Sequence, residues 1–153
     1  MNDFLEKVKD FQKTFNAPVL ESPTIPGKDR CELRVNLLQE ELDELSEAIK
    51  DNDIVEVADA CGDLMVVLCG AILEFGLGEK FEEMFNNIHD SNMSKSCNST
   101  KEALETLSFY KKKDGTEGYY KQVGDKWVVY RNGDNKVLKS INYTPADLIG
   151  IIE

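Results

Sequence analysis

Apolar residues return at helical intervals through the first two thirds of the chain. Residues 3–15 place Phe4, Val8, Phe11 and Phe15 on one side, predicting an amphipathic helix capped by Asn2 or Asp3. Pro18, Pro23, Pro26 and Gly27 exclude regular helix between Asn16 and Lys28, so that stretch reads as a connecting loop. Between Leu37 and Gly70 the pattern predicts two helices joined by the turn Lys50-Asp51-Asn52-Asp53. A turn that short makes them antiparallel neighbours. Leu38, Leu42, Leu45 and Ile49 form the apolar stripe of the first. The second is apolar nearly all round from Val57, the pattern of a buried helix, and ends at Gly76 and Gly78. A further helix is expected over 79–94, with Phe81, Met84, Phe85 and Ile88 on one face.

After Lys95 the period changes. Ser99-Thr-Lys-Glu is a capping-box pattern that opens a short helix to Lys112, with Ala103, Leu104, Leu107 and Tyr110 on its apolar side. Tyr119–Val123, Lys126–Arg131 and Val137–Ser140 then alternate between Gly124-Asp125 and Asn132-Gly133 turn signals. They predict a small antiparallel hairpin or meander, with Trp127 and the tyrosines as its packing. Thr144-Pro145-Ala146-Asp147 starts a last helical turn.

What disturbs this pattern is charge on faces expected to be buried. Glu41 and Glu44, three apart, sit at the margin of the core face, while Asp43 and Glu47 point to solvent. Asp59 and Asp63 interrupt the apolar second helix at i, i+4, with Glu56 one turn earlier on the same face. A buried carboxylate must be protonated, paired or metal-bound. Arg34 and Lys50 flank the stretch without entering it, so a hard divalent cation with oxygen ligands is the economical solution. The plainer readings are a solvated acidic face for Glu40, Glu41 and Glu44, and salt bridges from Asp59 and Asp63 to Arg34 or Lys28.

Composition narrows the partners. At 153 residues the chain reads as a single domain, and its net charge of −11 argues against a nucleic acid polymer as partner. No apolar run is long enough to span a membrane and no signal-peptide pattern opens the chain, which reads as cytoplasmic. Cys31, Cys61, Cys69 and Cys97 show no C-x-x-C spacing, and Cys61 and Cys69 read as small core residues. His89 is the only histidine, which excludes H-E-x-x-H and E-x-x-H metal sites.

The pattern Glu40-Glu41-x-x-Glu44, followed by a helix with Glu56, Asp59 and Asp63, resembles the all-α nucleotide pyrophosphohydrolases: MazG, dimeric dUTPase and phosphoribosyl-ATP pyrophosphohydrolase. Similarity to the phosphoribosyl-ATP pyrophosphohydrolase-like branch spans nearly the whole chain. It takes in the first helix, the Pro-rich loop, Asp59-Ala-Cys-Gly-Asp63-Leu-Met-Val, His89-Asp-Ser-Asn-Met-Ser-Lys95, and the tail Lys136-Val-Leu-Lys139 with Asn142-Tyr143-x-Pro145-x-Asp147-Leu. The resemblance implies an all-α MazG-like helical bundle with a small C-terminal β-hairpin appendage. It would be one domain over 1–153, with a helical catalytic core at 1–95 and helix, hairpin and tail at 96–153.

The activity implied is Mg²⁺-dependent (Mn²⁺ as the alternative ion) hydrolysis of a nucleoside triphosphate to monophosphate and pyrophosphate, a nucleotide-pool housecleaning role. Glu41 and Glu44 would ligate metal, and Glu40 would orient or deprotonate water. The family's second helix reads E-x-x-D. Here Asp63 matches the D while Ala60 stands at the E position, so Asp59 or Glu56 supplies that ligand, with Asp59 the expected one. Asn92, Lys95, Lys136 and Lys139 would bind the phosphates, against the plainer reading that Asn92 and Lys95 cap a helix end. A homodimer or homotetramer is implied. The competing class is a nucleotide- or metal-binding regulatory module without turnover. A calcium sensor is disfavoured, because Glu56 occupies the glycine position of an EF-hand loop opened by Asp51-x-Asp53.

Overall fold

Residues 3–153 are described by a computed structural model of the chain; Asn2, one of the two expected caps, lies outside them. They fall into two compact units, residues 3–83 with Ile152–Glu153, and Met84–Ile151.

In the first unit, α1 (Asp3–Thr14) buries Leu5, Val8 and Gln12. The predicted stripe is thus shifted by one position: Phe4, Phe11 and Phe15 are each more than half exposed. Residues 4, 8, 11, 15 and 5, 8, 12 are overlapping helical faces that share Val8, and ring size does not choose between them. The buried face packs on Cys69, Ile72 and Leu73, near the C-terminal end of the third helix. The Pro-rich loop follows that end, with Leu20 N donating to Leu73 O and Thr24 N to Phe75 O, each at 3.0 Å. Gly76 makes this approach possible. Its φ is +69°, and a Cβ there would lie 1.9 Å from the Ser22 carbonyl oxygen.

Helices α2 (Lys28–Lys50) and α3 (Ile54–Glu74) form the expected antiparallel hairpin. Asn52 turns the chain at φ +55°, and the Asp53 carboxylate caps α3 by accepting from Val55 N at 2.9 Å and Glu56 N at 3.2 Å. Ala48 and Ala60 are buried where small side chains allow close packing, but the larger apolar residues of the pair divide. Leu38 and Leu45 are half-buried, whereas Leu42 and Ile49 are exposed. On α3 burial is concentrated from Cys69 to Glu74, while Ile54, Val55, Met65, Val66, Leu68 and Cys61 are exposed. The expectation of an enclosed α3 is therefore corrected for the single chain: it packs against α2 and α1, and these side chains stay open.

Glu74 is 1 % exposed and holds the base of the hairpin together. It accepts from Arg30 Nη2 at 2.9 Å and also from Arg30 Nε and Arg34 Nε. Burial opposes its ionised form, but these charge-assisted bonds outweigh that and hold its pKa below the usual glutamate range.

Helix α4 (Phe81–Met93) starts in the first unit, where Phe81 packs against the same core. In the second unit it buries Met84 and Ser91, and the expected face residues Phe85 and Ile88 are exposed. Helix α5 (Thr100–Asp114) is opened as predicted: Ser99 Oγ accepts from Glu102 N, and Glu102 Oε2 accepts from Asn98 N at 2.9 Å. Strands β1 (Gly118–Val123) and β2 (Lys126–Arg131) pair antiparallel across the two-residue turn Gly124-Asp125. The third run is no strand. Val137 makes a single bridge to Tyr130, and Leu138 joins Cys97, Ala103 and Val129 in this unit's core. A short α6 (Ile149–Ile152) ends the chain. Among the described residues, no helix is long and apolar enough to cross a membrane.

Candidate active site

The α2–α3 hairpin sets the carboxylates. Glu41 is the one drawn inward: it is half-buried, and its Oε2 is fully enclosed without a hydrogen-bond partner among the described residues. Burial raises its pKa, and Glu44, Asp63, Glu40 and Asp59 raise it further by repulsion, in that order. Four of the other five predicted carboxylates thus act on Glu41. The expectation that the α3 carboxylates are buried is corrected, since Glu56, Asp59 and Asp63 are exposed, as are Glu40 and Glu44. These residues escape the cost of burial because the flank of α3 is open.

The two salt-bridge partners considered for Asp59 and Asp63 are engaged elsewhere. Arg34 is held by Glu74, and Lys28 pairs with Glu32. Among the described residues, none of the six carboxylates forms an ion pair. Nor do three His, Cys, Asp or Glu side chains among them converge as a closed metal cage. The arrangement is an open acidic face with one orphaned, inward oxygen. A donor set made only of carboxylate oxygens, short of positive charge, fits a hard divalent ion that keeps part of its water shell.

Two hollows flank this face. A cavity of about 340 Å³ takes in Glu41, Asp63, Phe11, Gln12, Arg34 and Gly70. A second, of about 450 Å³, lies at the α2–α3 turn and is lined by Glu44, Glu47, Asp51, Asp53 and Glu56. Glu41 and Asp63 therefore share one hollow, and Glu44 and Glu56 the other. Ala60 is 4 % exposed, so the position expected to carry a ligand is packed into the helix interface.

Three of the four predicted phosphate-binding residues come together in the second unit. Lys95 Nζ donates to Asn92 Oδ1 at 2.6 Å, and Lys139 Nζ stands 4.1 Å from the centre of the Tyr143 ring. Ser91 Oγ donates to Tyr143 Oη at 3.1 Å. That bond, with the positive charges of Lys139 and Lys95, lowers the Tyr143 pKa. The Lys136 backbone N–H donates to Asp134, and its side chain is exposed. His89, read from the sequence as a helix-end residue, is exposed on α4.

Gln12 and Arg34 were not singled out as site residues by the sequence pattern. Gln12 is 2 % exposed and occupies a core position of α1, and Arg34 is 8 % exposed. The available signal was a polar residue at position i+4 from Val8 on the buried face.

Fold and site together define an all-α protein whose central helix hairpin presents unpaired carboxylates beside an open cavity. The sequence profile of the phosphoribosyl-ATP pyrophosphohydrolase family matches residues 8–92, more than half of the chain, and spans α1 to α4. The chain belongs to this family of nucleotide pyrophosphohydrolases. It is also similar to an uncharacterized protein of Acanthamoeba polyphaga mimivirus, with 23 % identity over 238 aligned positions covering 97 % of this chain and 95 % of the viral protein.

Proposed function

We propose that this protein is a Mg²⁺-dependent nucleoside triphosphate pyrophosphohydrolase, with Mn²⁺ able to substitute. It converts an NTP or dNTP to the monophosphate and pyrophosphate in the cytoplasmic nucleotide pool. The observation that carries the reading is the buried, partnerless Oε2 of Glu41 amid four further carboxylates, in a chain of this family.

Glu41, Glu44 and Asp63 would hold the ion, with Glu56 and Asp59 completing the set. Glu56-Val57-Ala58-Asp59 itself has the E-x-x-D spacing, one turn before the Ala60–Asp63 register, so a packed Ala60 deprives the site of nothing. A bound ion of this kind neutralises phosphate oxygens and makes water a better nucleophile near neutral pH. The protein's own contributions are separable from that. Glu40, exposed next to Glu41, accepts a proton from the attacking water. Glu41, with its raised affinity for protons, is the carboxylate most in need of a cation when ionised. Asn92, Lys95 and Lys139 give the second unit an anion-binding patch.

The exposed apolar residues of α1 to α3 support assembly as a homodimer or homotetramer, and sedimentation showing a monomer at micromolar concentration would contradict that. The enzymatic reading is tested by incubating the protein with each common NTP and dNTP plus Mg²⁺ or Mn²⁺ and measuring pyrophosphate. Release from at least one substrate is expected. No release from any, with nucleotide binding intact, refutes it.

A further inference from the structure

The cavity that reaches from Glu41 and Asp63 has a second end with its own chemistry, built by α1, α2 and α3 of the first unit. Gln12 Nε2 donates to the Pro18 carbonyl at 2.6 Å. A carbonyl cannot donate, so the amide orientation is fixed and Oε1 is the atom left over. That oxygen is buried and has no hydrogen-bond partner among the described residues. Arg34 is pinned through Nε by Glu74, and its Nη1 comes within 2.8 Å of the place where a Cβ on Gly70 would stand. Gln12 Oε1 comes within 3.0 Å of the same place. A fixed acceptor and a charged donor therefore both pack against Gly70, where a Cβ would collide with them, and both line the cavity. Phe11, half-exposed, adds an aromatic wall.

We propose that this end of the cavity binds a nucleobase through its lactam edge, the adjacent N–H and C=O of uracil, thymine, guanine or hypoxanthine. Gln12 Oε1 accepts from the ring N–H, Arg34 Nη1 donates to the neighbouring carbonyl oxygen, and Phe11 stacks on the ring. A guanidinium donor finds its better neutral acceptor in a carbonyl oxygen. Cytosine and adenine offer a ring nitrogen beside an amino group instead.

The spacing agrees with a nucleotide. Arg34 and Glu41 are seven residues apart on α2, and Asp63 and Gly70 seven apart on α3. In both helices that is about 10.5 Å along the axis. A base held at Gln12 would direct its ribose and first phosphate toward the carboxylates. The net charge of −11 favours a free nucleotide over a polynucleotide. This inference rests on the pyrophosphohydrolase reading and names the part of the substrate that decides specificity.

Neutral nucleosides test it without metal or phosphate. Uridine, guanosine, inosine, cytidine, adenosine and N3-methyluridine are titrated into the wild-type protein and followed by amide chemical shifts. Uridine, guanosine and inosine should bind about tenfold or more tightly than cytidine, adenosine and N3-methyluridine, and should shift the Gln12 side-chain and Gly70 signals. Gln12→Leu should erase the difference between uridine and N3-methyluridine. If that variant does not fold, the methylated ligand on wild type still decides. Equal affinity for uridine and N3-methyluridine, or the absence of shifts at Gln12 and Gly70, overturns the proposal. Pyrophosphate release without base discrimination would overturn it while leaving the pyrophosphohydrolase reading in place. Discrimination without pyrophosphate release from any triphosphate would do the reverse.

Discussion

Glu41→Gln should stabilise the metal-free protein while abolishing turnover. The substitution keeps the side chain's shape, removes its charge and adds an amide donor that neighbouring carboxylates can accept. An enclosed acceptor without a partner costs about 1–3 kcal/mol. Glu41 as a whole is half-buried and the flanking carboxylates are exposed, so solvent screens their repulsion and the lower end applies, ~1 kcal/mol. For a chain of this size that corresponds to a melting temperature raised by about 2–4 °C. The pH dependence fixes the sign. Glu41's folded pKa is raised, so the wild-type protein loses stability as pH rises from the ordinary glutamate range through that raised value. The variant has no such loss. Its advantage should be near zero in acid and full at neutral pH. Thermal melts in the presence of a chelator at several pH values measure this, beside a pyrophosphate-release assay with Mg²⁺. A variant that melts at or below the wild-type temperature at neutral pH would refute the electrostatic account of the site. One that melts higher yet turns over at the wild-type rate would refute the role of Glu41 in catalysis.

Asp63→Asn should likewise lose pyrophosphate release while keeping its circular dichroism spectrum, because Asp63 is exposed and contributes nothing to the core. Glu74→Ala should cost on the order of 3–5 kcal/mol in denaturant titrations, since it leaves Arg34 buried without its counter-charge. Because the Glu74 pKa is depressed, its contribution is present above the usual glutamate range and is lost as pH falls through the depressed value, so wild type and variant should converge in acid. Gly76→Ala should destabilise by well over 1 kcal/mol in the same titrations, through both its positive φ and the collision with Ser22 O.

The parts of this molecule that were legible in the sequence are those in which a local signal has a local cause. The α2–α3 turn follows from Asp53, whose side chain reaches the next turn's N–H groups. The start of α5 follows from Ser99 and Glu102 in the same way. The β1–β2 hairpin follows from Gly124-Asp125. What a local signal does not carry is which face is covered. Periodicity says that α3 is apolar all round, but coverage depends on what packs there, and α1 and α2 leave Ile54, Val55, Met65, Val66 and Leu68 exposed. The expected third strand failed for a different reason: after Asn135, at φ +56°, the chain returns to β2 only far enough for one bridge. Of the site, the acidic residues stood out because charge breaks an apolar pattern. Gln12 did not, because one amide between Val8 and Phe15 looks like the polar margin of an amphipathic helix until Oε1 is found enclosed.

The buried polar groups of the first unit form one connected device. Glu74 fixes Arg34 through Nε, and the Pro18 carbonyl fixes Gln12 through Nε2, so each side chain spends one group on the scaffold and keeps another directed at Gly70. Side chains held in this way lose little rotamer freedom when a ligand arrives, which is how a small contact set gains discrimination. The far end of the cavity has the opposite character. Glu41 is the one of its carboxylates drawn inward, and among the described residues no cationic side chain forms an ion pair with it. The end proposed to select the base and the acidic end proposed to hold the cation are joined by the same two turns of α2 and α3, so their separation is set by helix geometry and not by a loop. A one-residue insertion between Arg34 and Glu41 would turn the two ends about 100° apart around α2 and uncouple them, even though every side chain in both would still be present.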